Sequence, residues 1–334
     1  MLSMTIPIGN IYRQNMTTDH LKVALAQIAP IWLDRAATLS KVVDYIHQAH
    51  SENVDLIAFG EALVPGYPFW LELTDGARFN NSTQKEIHSH YVTQAVQIEA
   101  GHLEPICTAA KATQTAIYLG IIERAQNRGG HSLYCSMVYI NQQGEICSVH
   151  RKLMPTYEER LTWSTGDGHG LQVHSLGAFT VGGLNCWENW MPLPRAALYG
   201  LGEDLHVAIW PGNEKNTQDI TRFIAKEGRS YVMSVSGLMR PSDFPENTPH
   251  IEKILAGCNS HPLANGGSCL CGPDGEWLIS PQINEEGIYY AVIDHNKVRQ
   301  ERQNFDAAGH YSRPDVTKLT VNRHRQSTVE FIDK

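Results

Sequence analysis

LKVALAQIAPIWLDRAATLSKVVDYIHQAHSENVDLIAF, residues 21–59, contains two short apolar runs with a helical repeat between them. The first run, 21–29, alternates and is bounded by Pro30, which suits a strand. Asp34 stands where a helix cap belongs, and Leu39, Val42, Val43, Ile46 and Ala49 recur at the spacing of one buried helix face. The second run, 54–59, is compact and of buried-strand length. Together they read β-α-β, and the pattern predicts an α/β fold.

Outward from there the alternation continues. Thr83 followed by Glu86 reads as a capping box opening a helix toward Ala100, Pro105 as the start of another helix, and 116–123 (AIYLGIIE) as a strand. Residues 133–151 form two alternating runs around 141–144, and Pro273, Asp274 and Gly275 separate short strands at 268–271 and 276–280; both are hairpin signals. Further strands are expected at 179–184, 206–210 and 231–238, with helical text from 219 to 228. No linker, low-complexity tract or long-period repeat divides the chain, so 21–305 is expected to form one domain and 306–334 a tail. Periodicity leaves the order of strands in the sheet open.

Composition narrows the function class. The 334 residues carry 27 Lys plus Arg against 35 Asp plus Glu, a formal charge of −8, so there is no basic footprint for nucleic acid or an anionic membrane. A chain this long buries a core without staples, and 42% hydrophobic with 19% charged residues excludes a disordered or collagen-like class. Seven cysteines without framework spacing read as reduced thiols of a cytoplasmic protein. The first twenty residues lack a basic region before an apolar stretch, so no signal peptide is expected, and no run of about 18 apolar residues offers a membrane-spanning helix.

Three positions stand out chemically. Cys186 follows a strand containing Gly182 and Gly183 and precedes Pro192, Pro194 and a helical run, placing it at a sharp strand-to-helix corner. Such a corner exposes a nucleophile, and its backbone N–H groups, beginning with that of Trp187, supply an oxyanion site. A buried core thiol is the competing reading, since free cysteine is among the most buried residue types. Glu61 and Lys152 each close an apolar strand, where an unpaired charge is costly, so each can satisfy the other; solvated residues at loop entrances would look the same. If the three converge, Lys152 draws the thiol toward thiolate while Glu61 takes its proton.

The surrounding text resembles a family. EALVPGYPFW (61–70), HRKLMPTYEER (150–160), CWENWMPL (186–193) and GHYSRPDV (309–316) look like the nitrilase branch of the nitrilase (carbon–nitrogen hydrolase) superfamily, over about residues 23–316. The resemblance implies Cys186 as nucleophile, Glu61 as general base, Lys152 as stabiliser of the tetrahedral intermediate and Glu159 as the second glutamate that helps position the lysine or substrate. It also implies a four-layer α-β-β-α sandwich with mixed sheets, a small-molecule nitrile as substrate, no metal or organic cofactor, and a homodimer or larger spiral in which the tail takes part. An amidase or carbamoyl hydrolase of the same superfamily is the runner-up, and a catalytically silent scaffold the reading from another class. Tyr67, Phe69, Trp70, Trp187 and Trp190 are aromatic enough to line an apolar pocket; Tyr67 and Trp187 are taken as substrate-binding. Glu188 is expected to secure the turn.

Other signals are weaker. A papain-like pairing needs His150 or His174 to meet Cys186. Cys269, Cys271 and His261 lack a zinc-knuckle spacing, 166–170 (GDGHG) reads as a mobile loop, and His88 and His90 as solvated surface.

Overall fold

The computed structural model describes residues 19–330, 332 and 333; the leader on which the signal-peptide reading falls lies outside them up to residue 18. β1 (His20–Gln27), α1 (Arg35–Ser51) and β2 (Leu56–Phe59) make the expected unit, with β1 and β2 parallel in the register Val23 opposite Leu56. Asp34 is extended and its carboxylate accepts the Ala37 N–H at 2.9 Å, satisfying one of the donors that a helix start leaves unpaired. Then come α2 (Trp70–Leu73), α3 (Ser82–Gln94), α4 (Glu104–Thr113), β3 (Ala116–Arg124), β4 (Leu133–Ile140) and β5 (Ile146–Arg151). The second half runs β6 (His174–Leu176), β7 (Phe179–Asn185), α5 (Pro192–Gly200), β8 (Leu205–Trp210), α6 (Glu214–Gly228), β9 (Tyr231–Ser236), β10 (Leu238–Met239), α7 (Ile251–Gly257), β11 (Ala264–Cys271), β12 (Trp277–Ile283), β13 (Gly287–Asp294) and α8 (His295–Arg302).

These strands form two mixed sheets, ordered β13-β1-β2-β3-β4-β5 and β10-β11-β9-β8-β7-β6, with β12 paired to β11. The return of β13 onto β1 joins the two ends of the domain. Side-chain alternation then builds the layers. Leu21, Val23 and Leu25 of β1 meet Leu205, Val207 and Ile209 of β8 in a core between the sheets, while Ala24 and Ala26 turn outward onto Val42 and Ile46 of α1. On the far side Ala208 and Trp210 pack against Ile220 and Ile224 of α6. The result is the α-β-β-α sandwich. Strands covered on both faces have no polar side, which is why β2, Leu56–Phe59, is apolar throughout. No helix among the described residues is long and apolar enough to cross a membrane.

Local expectations fail where tertiary contacts intervene. The cap of α3 is Asn81, whose side chain accepts the Gln84 N–H, and the Thr83 hydroxyl instead accepts Lys253 from the start of α7. That helix stops at Gln94 rather than near Ala100, because Val96 leaves to bond Ile122 of β3 at 2.7 Å. His88 and His90 are half-buried, not solvated: His88 Nδ1 lies 3.1 Å from the Thr162 hydroxyl and His90 Nε2 lies 3.1 Å from the Leu33 carbonyl. The 166–170 segment is held, too. Asp167 is buried, caps a short 3-10 turn and binds Arg325 at 3.0 Å, so the C-terminal segment straps the loop down.

Candidate active site

Glu61 sits one residue beyond Gly60 at the end of β2, and its N–H donates to the Trp210 carbonyl at the end of β8, so one hydrogen bond of 3.0 Å ties the two sheets at this point. Gly120 of β3 lies directly beneath; a Cβ there would overlap the Gly60 carbonyl oxygen and crowd Glu61 Cα. Gly120→Ala should therefore displace Glu61 and destabilise the protein by about 1–3 kcal/mol, the usual cost of overpacking, which a denaturant melt beside an activity assay reads.

Lys152 ends β5. Its N–H donates to the Cys135 carbonyl of β4 and its own carbonyl accepts from Gly166, so its backbone is fixed on both sides. The ammonium lies 2.8 Å from Glu61 Oε1 and 2.8 Å from Glu159 Oε2, all three side chains buried. Glu159 belongs to the 3-10 turn Tyr157–Leu161 and closes a capping box with Thr156, whose N–H donates to Glu159 Oε2 at 2.6 Å. Its other oxygen accepts the Tyr67 hydroxyl at 3.0 Å.

Cys186 begins a 3-10 turn immediately after β7, at φ 49°, a left-handed conformation that non-glycine residues adopt at a cost of about 1–3 kcal/mol. Glu188 holds this turn: its carboxylate accepts the Asn185 N–H at 2.9 Å and the Leu153 N–H, and lies 3.0 Å from His150 Nε2. Leu153 follows Lys152, so Glu188 couples the cysteine turn to the lysine strand. The Asn189 amide adds a bond to the Cys186 carbonyl at 2.8 Å. One oxygen each of Glu61 and Glu159 and the Cys186 sulfur lie within 4.8 Å of one another. Distances of this order suit a cation site, but the Lys152 ammonium already stands 2.8 Å from both carboxylates and supplies the positive charge there.

Two carboxylates, one ammonium and one thiol thus share a buried site. Burial pushes the Glu61 carboxyl up; Lys152 draws it back and Glu159 pushes it up again, leaving it at about 7. Burial, then the Glu61 charge, hold the Cys186 thiol well above its ordinary range, with Lys152 and the Trp187 N–H pulling the other way. Burial disfavours the Lys152 charge, yet Cys186, Glu61 and Glu159 outweigh it and keep the ammonium. The resting pair is a neutral thiol beside an acceptor that titrates near neutrality, which suits proton transfer on attack.

Of the aromatic candidates, Tyr67 stands at this cluster and packs at a tilt against Phe69, ring centroids 4.9 Å apart, but its hydroxyl is engaged by Glu158 and Glu159. Trp187 is half-exposed beside the sulfur's turn, 6.3 Å from the half-exposed Trp190. Trp70 is a core residue packed on Trp32 and Tyr91. The papain-like pairing does not form: His150 bonds Glu188, and His174 bonds the Ser148 hydroxyl at 2.7 Å and stacks on Tyr139. Cys269 faces Thr221 and Cys271 the Gly272 carbonyl, and all seven cysteines are free thiols. Sequence reasoning missed Cys135, whose thiol touches Glu61, and Trp163, whose ring lies 5.6 Å from the Lys152 ammonium. Alternation puts Cys135 on the inward face with Met137 and Tyr139, but not at which end of the sheet.

Comparison with known proteins identifies the family. The family model described as carbon-nitrogen hydrolase matches residues 22–303. A protein named Nitrilase 2, from an unknown prokaryotic organism, is 33% identical over 93% of this chain and 95% of its own. Nitrilase 1 of Arabidopsis thaliana is 31% identical over 94% and 90%, and an aliphatic nitrilase of Rhodococcus rhodochrous 32% identical over 94% and 82%. Among solved structures, a carbon-nitrogen hydrolase from Helicobacter pylori G27 superposes with a TM-score of 0.65 at 17% identity, covering 86% of this chain and 93% of that one. A Nesterenkonia amidase variant, carrying acrylamide added at its active-site cysteine, superposes at 0.61 with 15% identity, over 85% and 97%. With the sandwich, the buried cluster and nitrilase relatives along nearly its whole length, this chain belongs to the carbon–nitrogen hydrolase family, in its nitrilase branch.

Proposed function

We propose that the protein hydrolyses an organic nitrile to the carboxylic acid and ammonia through a covalent bond to Cys186. The observation that carries the reading is the Lys152 ammonium held 2.8 Å from two buried carboxylates, with the Cys186 sulfur in the same cluster. Glu61 accepts the thiol proton as sulfur adds to the nitrile carbon, and the nitrogen gains that proton to give a thioimidate. Glu61 then activates a water; the tetrahedral adduct is stabilised by Lys152 and by turn amides beginning with Trp187, and its collapse expels ammonia and leaves a thioester. A second water releases the acid. Glu159, anchored by Thr156 and Tyr67, keeps Lys152 in place. Trp187, with the ring of Tyr67, provides apolar surface for the organic part of the substrate, and no cofactor takes part.

Expulsion of sulfur rather than ammonia would give an amide, and amide hydrolysis would use the same four groups. A panel of aliphatic, aromatic and arylacetonitriles with the matching amides, assayed for ammonia, separates these: release from amides alone overturns the nitrilase reading, and release from neither favours a silent scaffold. Because the base must be deprotonated, kcat/KM should fall about tenfold per pH unit below about 7, the value at which Glu61 titrates.

The reading extends to a cytoplasmic homo-oligomer, at least a dimer. Leu193 of α5 and Phe223 of α6 are 62% and 50% exposed on one outer helical layer, and residues 306–330, 332 and 333 are mostly exposed. Both suit contacts between copies.

A further inference from the structure

We propose that Cys135 is a positioning residue for the general base: its thiol donates to Glu61 Oε1, the oxygen already held by Lys152, and so reserves Glu61 Oε2 for proton transfer. The inference rests on reading Glu61 as the base. Cys135 Sγ lies 3.4 Å from Glu61 Oε1, which also takes the Lys152 ammonium at 2.8 Å. Oε2 is buried and has no hydrogen-bond partner. An orphaned buried carboxylate oxygen is costly in a resting fold, and its free lone pairs are what a base needs. The two oxygens therefore differ in role.

Cys135 controls the partner as well. Its carbonyl accepts the Lys152 N–H at 2.8 Å, so one residue of β4 anchors the lysine backbone and the glutamate side chain together. Burial and the neighbouring Glu61 charge hold its thiol well above the ordinary range, which keeps it a donor rather than a second nucleophile. A thiol is a weak donor: it orients the carboxylate while withdrawing less basicity than a hydroxyl would. The groups facing Glu61 are Cys135 from β4, Lys152 from the end of β5, Glu159 from its 3-10 turn and Cys186 from the turn after β7, with the Tyr67 and Tyr91 hydroxyls also within reach of its charge.

The test compares Cys135→Val and Cys135→Ser with the parent by two readouts across pH: kcat/KM on a nitrile, and the rate of acrylamide addition at Cys186 followed by peptide mass. Donation to the carboxylate favours its charged form, so losing it should move the acid limb of both profiles upward. In Cys135→Val a shift of about half a pH unit is expected, a loss of about threefold at pH 6 with KM unchanged, as a weak donor warrants. Cys135→Ser keeps a donor and should return the limb to the parental position or below it. Should the valine variant fail to fold, Cys135→Ala makes the same comparison without added bulk. Valine or alanine profiles superimposed on the parent, or a serine variant that behaves like valine, would overturn the proposal. A parent that releases no ammonia from nitriles but shows the shift in acrylamide addition sinks the nitrile reading and leaves the role of Cys135 standing; turnover with unshifted profiles does the reverse.

Discussion

Cys186→Ala is expected to leave no measurable nitrile turnover, a loss on the order of 10⁴-fold or more, as for other nucleophiles that form the covalent intermediate. The fold should survive. Alanine keeps the Cβ that position 186 already carries at φ 49°, so no new backbone strain arises, and the Glu188 and Asn189 bonds that hold the turn run to backbone groups of Asn185, Leu153 and Cys186. Removing one sulfur from a buried site costs about 1 kcal/mol or somewhat more. Ammonia release, a thermal melt and intact mass during turnover check this together. The parent should gain the mass of an acyl group at Cys186 and the variant none; a variant retaining a few per cent of parental rate would mean that the sulfur is not the covalent centre.

Removal of the ammonium should be the most damaging single change to stability. Lys152→Met leaves Glu61 and Glu159 facing one another in a buried site with no countercharge, and breaking a buried pair in this way costs about 3–5 kcal/mol. The sign of its pH dependence is fixed. In the parent, Lys152 opposes the rise that burial imposes on Glu61, which titrates at about 7. Without it Glu61 binds its proton more readily in the folded state, so the deficit is largest above pH 7 and shrinks as the pH falls and Glu61 neutralises. Urea unfolding of parent and variant at pH 5.5 and 8 reads the difference. An equal deficit at both values would show that packing of the lysine stem, not its charge, stabilises the site, and activity should be lost at either pH.

Much of the fold was legible because its signals are local. Asp34 caps α1, and Leu56–Phe59 is apolar throughout because β2 is covered on both faces. Where a distant segment competed, local signals misled: Thr83 bonds Lys253 instead of capping α3, Val96 is claimed by β3, and the C-terminal segment pins Asp167 in a loop that reads as mobile. The site divides in the same way. Glu61, Lys152 and Cys186 announce themselves as charges and a thiol at strand ends, whereas Cys135, in mid-strand β4, looks like any small core residue.

Residue types and their periodicity alone determined the alternating elements and the acidic balance of the chain, and singled out Cys186, Glu61 and Lys152 as candidates, whereas Glu159 came only from the resemblance to the nitrilase family. They did so because burial patterns, caps and turns depend on neighbours a few positions apart. Only the tertiary structure decided which strands adjoin, that Glu61 hangs from Trp210, that Tyr67 and Thr156 steady Glu159, and that one oxygen of Glu61 is left without a partner. Those features depend on the distance and orientation of groups tens of residues apart, and on a desolvation that exists only once both sheets have closed over the cluster.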